Sequence, residues 1–342
     1  MKRSHNDHAG LVAPATAAAE LQVWEALNLA LNEAMAVDDA VFVLGEDVGV
    51  YGGSYRVTQG LYARYGEWRV RDTPISEGSF TGLGVGAALV GGRPVVEIMT
   101  VNFALLALDA IVNMAAKLRY MSGGQFRVPL VVRMPGGVAH QLAAQHSQRL
   151  EHTLMNVPGL RIVAPGTVQD SYWQLRQAIR HDDPVIVLEH ELLYFDKGPF
   201  DHAAGAPPLH AAAVRRPGRD LTLIAWHRMV QVALQAADRL AGQGLEAEVI
   251  DLRSLRPIDL PLLRESLGRT HRALVVEEDC RFAGAGAEIV AALTEAAFFD
   301  LDAPLRRVAA ADVPTPYNGD LERASIPDVD AVVAAAHDLL GR

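Results

Sequence analysis

Arg71-Asp72-Thr73-Pro74-Ile75-Ser76-Glu77-Gly78 joins an extended segment to a helix. Pro74 fixes one backbone dihedral and keeps Thr73 extended. Glu77 then stands where a helix of small residues begins, over 78–89. Gly82, Gly84, Gly86, Ala87 and Ala88 let that helix pack closely against a neighbour. An acidic side chain at a helix start also meets the positive end of the helix dipole. Spacing alone therefore leaves Glu77 open between a structural and a chemical role.

Outward from this stretch the pattern alternates helix and strand. Val23, Leu27, Leu31 and Met35 recur at helical spacing, which predicts an amphipathic helix over 20–37. Short apolar runs predict buried strands at 40–44, 94–99, 129–134, 160–164 and 184–189. A long helix is expected over 104–121, stopped by Gly123-Gly124. Thr167 with Asp170 three residues later signals another helix start. The second half repeats the style, with strands at 221–226, 248–252, 273–277 and 305–309. Helices are expected near 230–242, 259–267, 284–298 and 328–340. Between the halves, 196–219 is rich in Pro, Gly and Ala and has no period, so it reads as a linker. The fold class is α/β, with two doubly wound domains whose mainly parallel sheets are covered on both faces. Expected units are a tail over 1–19, a first domain over 20–204 and a second over 205–342.

Length and composition agree. A chain of 342 residues is long for one core, so two domains are expected. Half the residues are hydrophobic and 21% are charged, as in a globular protein. The formal net charge of −10 argues against general nucleic-acid binding and against an anionic membrane surface. The single cysteine, Cys280, excludes a disulfide framework within the chain and points to a reducing compartment. It is expected to be a buried small residue. No apolar run reaches the length of a membrane span, and the first nineteen residues lack the apolar stretch of a signal peptide. A cytoplasmic location is the expectation.

Ligands of such sheets gather at the carboxyl ends of the strands. That rule singles out Glu46, residues 100–103 and the loop 135–148. The loop carries Leu142-Ala143-Ala144-Gln145-His146-Ser147-Gln148, and His146 could exchange a proton near neutral pH. His140 precedes it by six residues without a convincing third metal ligand. Glu97-Ile98-Met99-Thr100-Val101-Asn102-Phe103 runs from a strand into a helix, and core packing would explain Met99 and Phe103 equally well. Gly82-x-Gly84-x-Gly86 departs from the spacing of a dinucleotide loop.

Taken with Gly45-Glu46-Asp47-Val48, these segments resemble the β subunits of the thiamine-diphosphate-dependent 2-oxo acid dehydrogenases, the E1 family within the transketolase-like group. Further matches lie in 115–124, 183–189 and 249–257, and the resemblance covers 20–342 in order. Ala144-Gln145-His146-Ser147-Gln148 and the pair Asn102-Phe103 are more similar to the pyruvate type than to the branched-chain type.

The resemblance implies a pyrimidine-binding domain followed by a transketolase C-terminal-like domain. It implies that Glu77 hydrogen-bonds N1′ of the cofactor's aminopyrimidine and so favours the tautomer that deprotonates the thiazolium. The cofactor is then the electron sink for loss of CO₂. Met99 and Phe103 match residues beside the aminopyrimidine, and Ile75 belongs to the same cofactor-binding set. Glu46 matches an acidic residue of the polar network between cofactors. His146 matches the active-site histidine. Such enzymes hold the diphosphate through Mg²⁺ on a Gly-Asp-Gly motif, and this chain has none, because Gly319-Asp320 is followed by Leu321. The expectation is therefore an α subunit that holds Mg²⁺ and diphosphate, in an α₂β₂ heterotetramer. The resemblance also implies an E2 dihydrolipoyl acyltransferase partner. It extends to a potassium ion on the main-chain carbonyls of Leu130, Ala178, Ile179, His181 and Asp183. Pyruvate is the favoured substrate, with acetoin and branched-chain 2-oxo acids as alternatives. A scaffold subunit of the same fold is the rival from another class.

Overall fold

Apolar runs bounded by turn residues become parallel strands because both their faces are covered by helices. The computed structural model describes residues 19–138 and 140–341. The tail expected over 1–19 lies outside these residues except for Ala19. The first half contains β1 (Ala19–Gln22), α1 (Val23–Val37), β2 (Val41–Gly45), α2 (Leu61–Tyr65), β3 (Val70–Asp72), α3 (Glu77–Leu89), β4 (Arg93–Glu97), α4 (Leu118–Met121), β5 (Val131–Gly136), α5 (Glu151–Met155), β6 (Arg161–Val163), α6 (Val168–Arg180), β7 (Val185–His190) and β8 (Lys197–Phe200). The second half contains β9 (Ala213–Arg216), β10 (Leu221–Ala225), α7 (Met229–Ala241), β11 (Ala247–Asp251), β12 (Ser254–Arg256), α8 (Leu260–Thr270), β13 (Ala273–Cys280), α9 (Ala285–Ala297), β14 (Arg306–Ala310), α10 (Gly319–Ala324) and α11 (Val329–Leu340).

The larger sheet has the order β12-β6-β7-β5-β4-β2-β3. All its pairs are parallel except β12 with β6. The second sheet has the order β14-β13-β10-β11-β9, with only β9 antiparallel. The α/β class with two doubly wound, mainly parallel sheets is therefore observed. Alternate residues of one strand feed different cores. Val131 joins the cluster against α1 and α6, whereas Val132 joins the cluster on the opposite face. That second cluster runs on through Ile224, Ile250, Val275 and Ile289, so one apolar core spans both sheets.

Several expectations need correction. The helix expected over 20–37 starts at Val23, and residues 20–22 belong to β1, which pairs with β8. Gln22 ends the strand because its backbone N–H donates to the Glu25 carboxylate at 2.7 Å, closing a capping box. The helix expected over 104–121 is broken into a 3₁₀ segment Val101–Ala107, a π segment Asp109–Ala115 and α4, with a bend of 58°. Close packing against the start of α3 sets its path. A Cβ on Gly78 would stand 2.9 Å from the Leu106 carbonyl oxygen. The aperiodic stretch 196–219 contains β8 and β9, two short strands whose pairing comes from distant partners. Cys280 is only partly buried, because β13 carries it past the covered part of the sheet. Among the described residues, a Cβ added at Gly82 or Gly86 would meet nothing within 4 Å, whereas Gly84 packs on Val96.

Candidate active site

Glu46 follows the carboxyl end of β2 and Glu77 is the first residue of α3. The intervening motif sews their loops together. Thr73 donates its N–H to the Gly45 carbonyl at 2.9 Å. Asp72 accepts the backbone N–H groups of Gly49 and Val50 at 2.6 and 3.1 Å. Both glutamates are buried, with 6% and 3% exposure. Burial raises the Glu46 carboxyl above the usual carboxylate range, and the charge and hydrogen bonding of the neighbouring Glu77 add to this. Among the described residues, Glu46 Oε1 is buried without a hydrogen-bond partner. A buried acceptor of this kind is suited to a polar ligand group.

Phe103 and His146 meet across the same end of the sheet, edge to face, with ring centroids 5.4 Å apart. His146 is exposed and Met99 is half-buried. Ile75 is 83% exposed. A side chain this apolar and this open, beside Glu77, borders the site on the side that this chain leaves uncovered. The amides of Asn102 and Gln148 tie the Phe103 turn to the His146 loop. Asn102 Nδ2 donates to Gln148 Oε1 at 2.9 Å, and the Gln148 N–H donates to Asn102 Oδ1 at 3.3 Å.

Beneath these groups lies a buried ionic layer that the motif reading missed. Arg133 bonds Glu189 through Nε at 2.9 Å and through Nη2 at 2.5 Å, and also bonds Glu97. Tyr194 donates to Glu189. The register places Glu97 opposite Arg133, with Glu189 two residues beyond on β7. The signal in the sequence is a single charge within each of three apolar runs. A second missed cluster joins the domains. Glu278 lies 2.8 Å from His190 Nε2 and 3.6 Å from Arg149, which is itself 3.6 Å from Glu151.

Of the five carbonyls suggested for potassium, those of Leu130 and Asp183 stand just before β5 and β7 and those of Ala178, Ile179 and His181 at the end of α6, and all already have partners. Arg93 Nη1 donates to the Ile179 and His181 carbonyls at 3.0 and 3.3 Å. Those of Leu130 and Ala178 accept the N–H groups of Val185 and His181, and that of Asp183 lies 3.2 Å from His181 Nδ1. Each carbonyl oxygen retains a second lone pair.

Two family models match in sequence order: the transketolase pyrimidine-binding domain over residues 19–197 and the transketolase C-terminal domain over 210–332. This chain belongs to the transketolase family. Within it, the chain is 48% identical to pyruvate dehydrogenase E1 component subunit β-2, mitochondrial, of Oryza sativa subsp. japonica, covering 94% of this chain and 86% of that protein. It is 47% identical to the β-1 subunit of Arabidopsis thaliana, covering 94% and 90%. It is 46% identical to the β subunit of Gracilaria tenuistipitata var. liui, covering 94% and 99%. Among solved structures, the fold is shared with a split-gene transketolase described as an inactive β4 tetramer. The TM-score is 0.77 at 24% identity, over 94% of this chain and 98% of that one. Glu46, Glu77 and Phe103 all lie within the pyrimidine-binding match.

Proposed function

We propose that this chain is the β subunit of a 2-oxo acid dehydrogenase E1 component of the pyruvate dehydrogenase type. One observation carries the reading. A buried pair of carboxyls, Glu46 and Glu77, stands at the carboxyl end of a parallel sheet next to the Phe103–His146 contact. Buried carboxyls without a counter-ion are costly unless they hold a proton or serve a ligand.

The residues fit thiamine diphosphate. Glu77 would hold the aminopyrimidine, with Met99, Phe103 and Ile75 around it and Glu46 behind. When bound, the cofactor supplies an electron sink for loss of CO₂ from a 2-oxo acid. This chain's own contribution is to place the Glu77 carboxyl against the aminopyrimidine, to keep water from the pyrimidine side, and to present His146 to substrate or to the lipoyl group of E2.

An α subunit, in an α₂β₂ heterotetramer, would supply Mg²⁺ and the diphosphate site. Support comes from the open side of the site. Ile75 and Leu106 are 83% and 68% exposed, and among the described residues a Cβ at Gly82 or Gly86 of α3 would meet nothing within 4 Å. Such an apolar margin suits a permanent partner. Potassium at the Leu130, Ala178, Ile179, His181 and Asp183 carbonyls would use their second lone pairs, alongside Arg93. Docking to E2 and a cytoplasmic location complete the proposal, the latter resting on the lone cysteine.

The test is Mg²⁺- and thiamine-diphosphate-dependent turnover of pyruvate, acetoin and branched-chain 2-oxo acids with an artificial electron acceptor. The chain is assayed alone and co-expressed with an α subunit of the pyruvate dehydrogenase type, in potassium or sodium buffer. Activity is expected only in the mixture and highest with pyruvate. Glu77→Ala should assemble normally yet lose about a hundredfold or more in rate. A scaffold subunit would tolerate that change, and activity from the chain alone would refute the half-site.

A further inference from the structure

The segment that carries His146 is bent against backbone preference. His140, Gln141 and Ala143 have φ of +48°, +61° and +62°. Non-glycine residues in this region cost on the order of 1 kcal/mol each and persist only where their surroundings over-determine them. The second half of the chain supplies part of the restraint, beside the local bond from the His146 N–H to the Ala143 carbonyl at 3.3 Å. Glu278 Oε1 accepts the Val138 N–H at 2.6 Å. Glu322, in α10, accepts the Gln141 N–H through Oε1 at 3.1 Å and Oε2 at 3.3 Å. Gln141 Nε2 donates to the Tyr317 carbonyl at 3.2 Å. Thr315 Oγ1 donates to the Ser147 carbonyl at 3.2 Å, one residue from His146. Glu322 is only 6% exposed, so its bond to a backbone N–H is shielded from water.

We infer that Glu322 is a positioning residue for His146, and that one task of the second domain is to clamp the strained His146 loop over the cofactor end of the first. This rests on the function proposed above. The clamp acts from one side on Gln141 and Ser147, while Asn102 holds Gln148 from the other. His146 thus sits between two fixed points, and its contact with Phe103 is set by both domains.

Glu322→Ala and Glu322→Gln, each in wild-type and His146→Ala backgrounds, are co-expressed with the α subunit and compared as assembled enzyme. Glu322→Ala should lower kcat for pyruvate decarboxylation about tenfold, within what small misplacements cause, with KM little changed. Glu322→Gln keeps an acceptor oxygen for the Gln141 N–H and should restore most of the rate. In the His146→Ala background Glu322→Ala should cost nothing further, because residues acting as a unit are not additive. Amide hydrogen exchange of residues 141–148 should accelerate in Glu322→Ala and not in Glu322→Gln. Full activity in Glu322→Ala, an equal loss in the His146→Ala background, or unchanged exchange would each overturn the clamp. If the wild-type assembly shows no 2-oxo acid decarboxylation, the proposed function fails, and the exchange experiment still decides whether Glu322 holds the loop.

Discussion

Arg133 shows how a single residue can organise a site it does not touch. It is 1% exposed and lies between Glu97 and Glu189, which are themselves buried. The three charges join the carboxyl ends of β4, β5 and β7, from which the Met99–Phe103 turn, the His146 loop and the Glu191 segment depart. Replacing such a layer wholesale with apolar residues can be neutral, but removing one partner leaves an uncompensated charge. Arg133→Met should therefore lower the unfolding free energy by about 3–5 kcal/mol, read by urea denaturation. A loss below about 1 kcal/mol would mean that both carboxyls simply take up protons. At this scale motif and neighbourhood singled out Glu77 and His146 as candidates. The partners of Asn102, Asp72 and Glu322 were not legible, because each acts through one or two hydrogen bonds to residues distant in sequence.

At the scale of elements, α3 is the informative one. Its small residues are legible as a close-packing face, but the partner of each glycine is not. A Cβ on Gly84 would lie 2.7 Å from Val96 Cγ2 and 3.3 Å from Leu130 Cδ1, inside the core of the first sheet. Gly84→Ala should destabilise the chain by about 1–3 kcal/mol through overpacking. Gly82→Ala meets nothing and removes backbone freedom from a helix, so it should stabilise the chain by roughly 0.5–1 kcal/mol. If Gly82 faces the α subunit, the same change should weaken assembly, read by sedimentation. Thermal melts in which both substitutions destabilise equally would show that the two glycines do not lie on different faces. The broken helix beside α3 illustrates the opposite limit. Its apolar spacing is helical, yet packing against Gly78 and the turn at Thr100–Phe103 forces 3₁₀ and π geometry on it.

Across the whole molecule, buried carboxyls at the domain junction tie stability to pH. Burial pushes Glu151, Glu191 and Glu277 up to about 7, from an ordinary value of 4.5. Between about pH 8 and 6.5 the folded chain takes up protons at these sites that the unfolded chain does not, so stability rises as pH falls. Below the ordinary histidine value of 6.5 the balance changes. Burial holds His227 well below that value, so the unfolded chain then binds a proton that the folded one refuses. The melting temperature should therefore be higher near pH 6.5 than near pH 8, because three carboxyls outweigh the one histidine. A curve that falls steadily from about pH 8 to 6.5 would show that these carboxyls are charged in the native state.

The alternation of apolar runs and helical periods, read alone, determined the α/β class, the parallel sheets and most helix positions. These depend on local period and on burial of both sheet faces, which are written into neighbouring residues. The motif around Glu77 and the His146 loop were equally local. Tertiary structure decided what depends on distant pairing. It placed β12, a three-residue strand from the second half, at the edge of the first sheet, and it paired β1 with β8. It joined Arg133 to Glu97 and Glu189 and bent the His146 loop under Glu322. Such contacts are made by hydrogen bonds between residues up to 181 positions apart, and no local period in the chain records them.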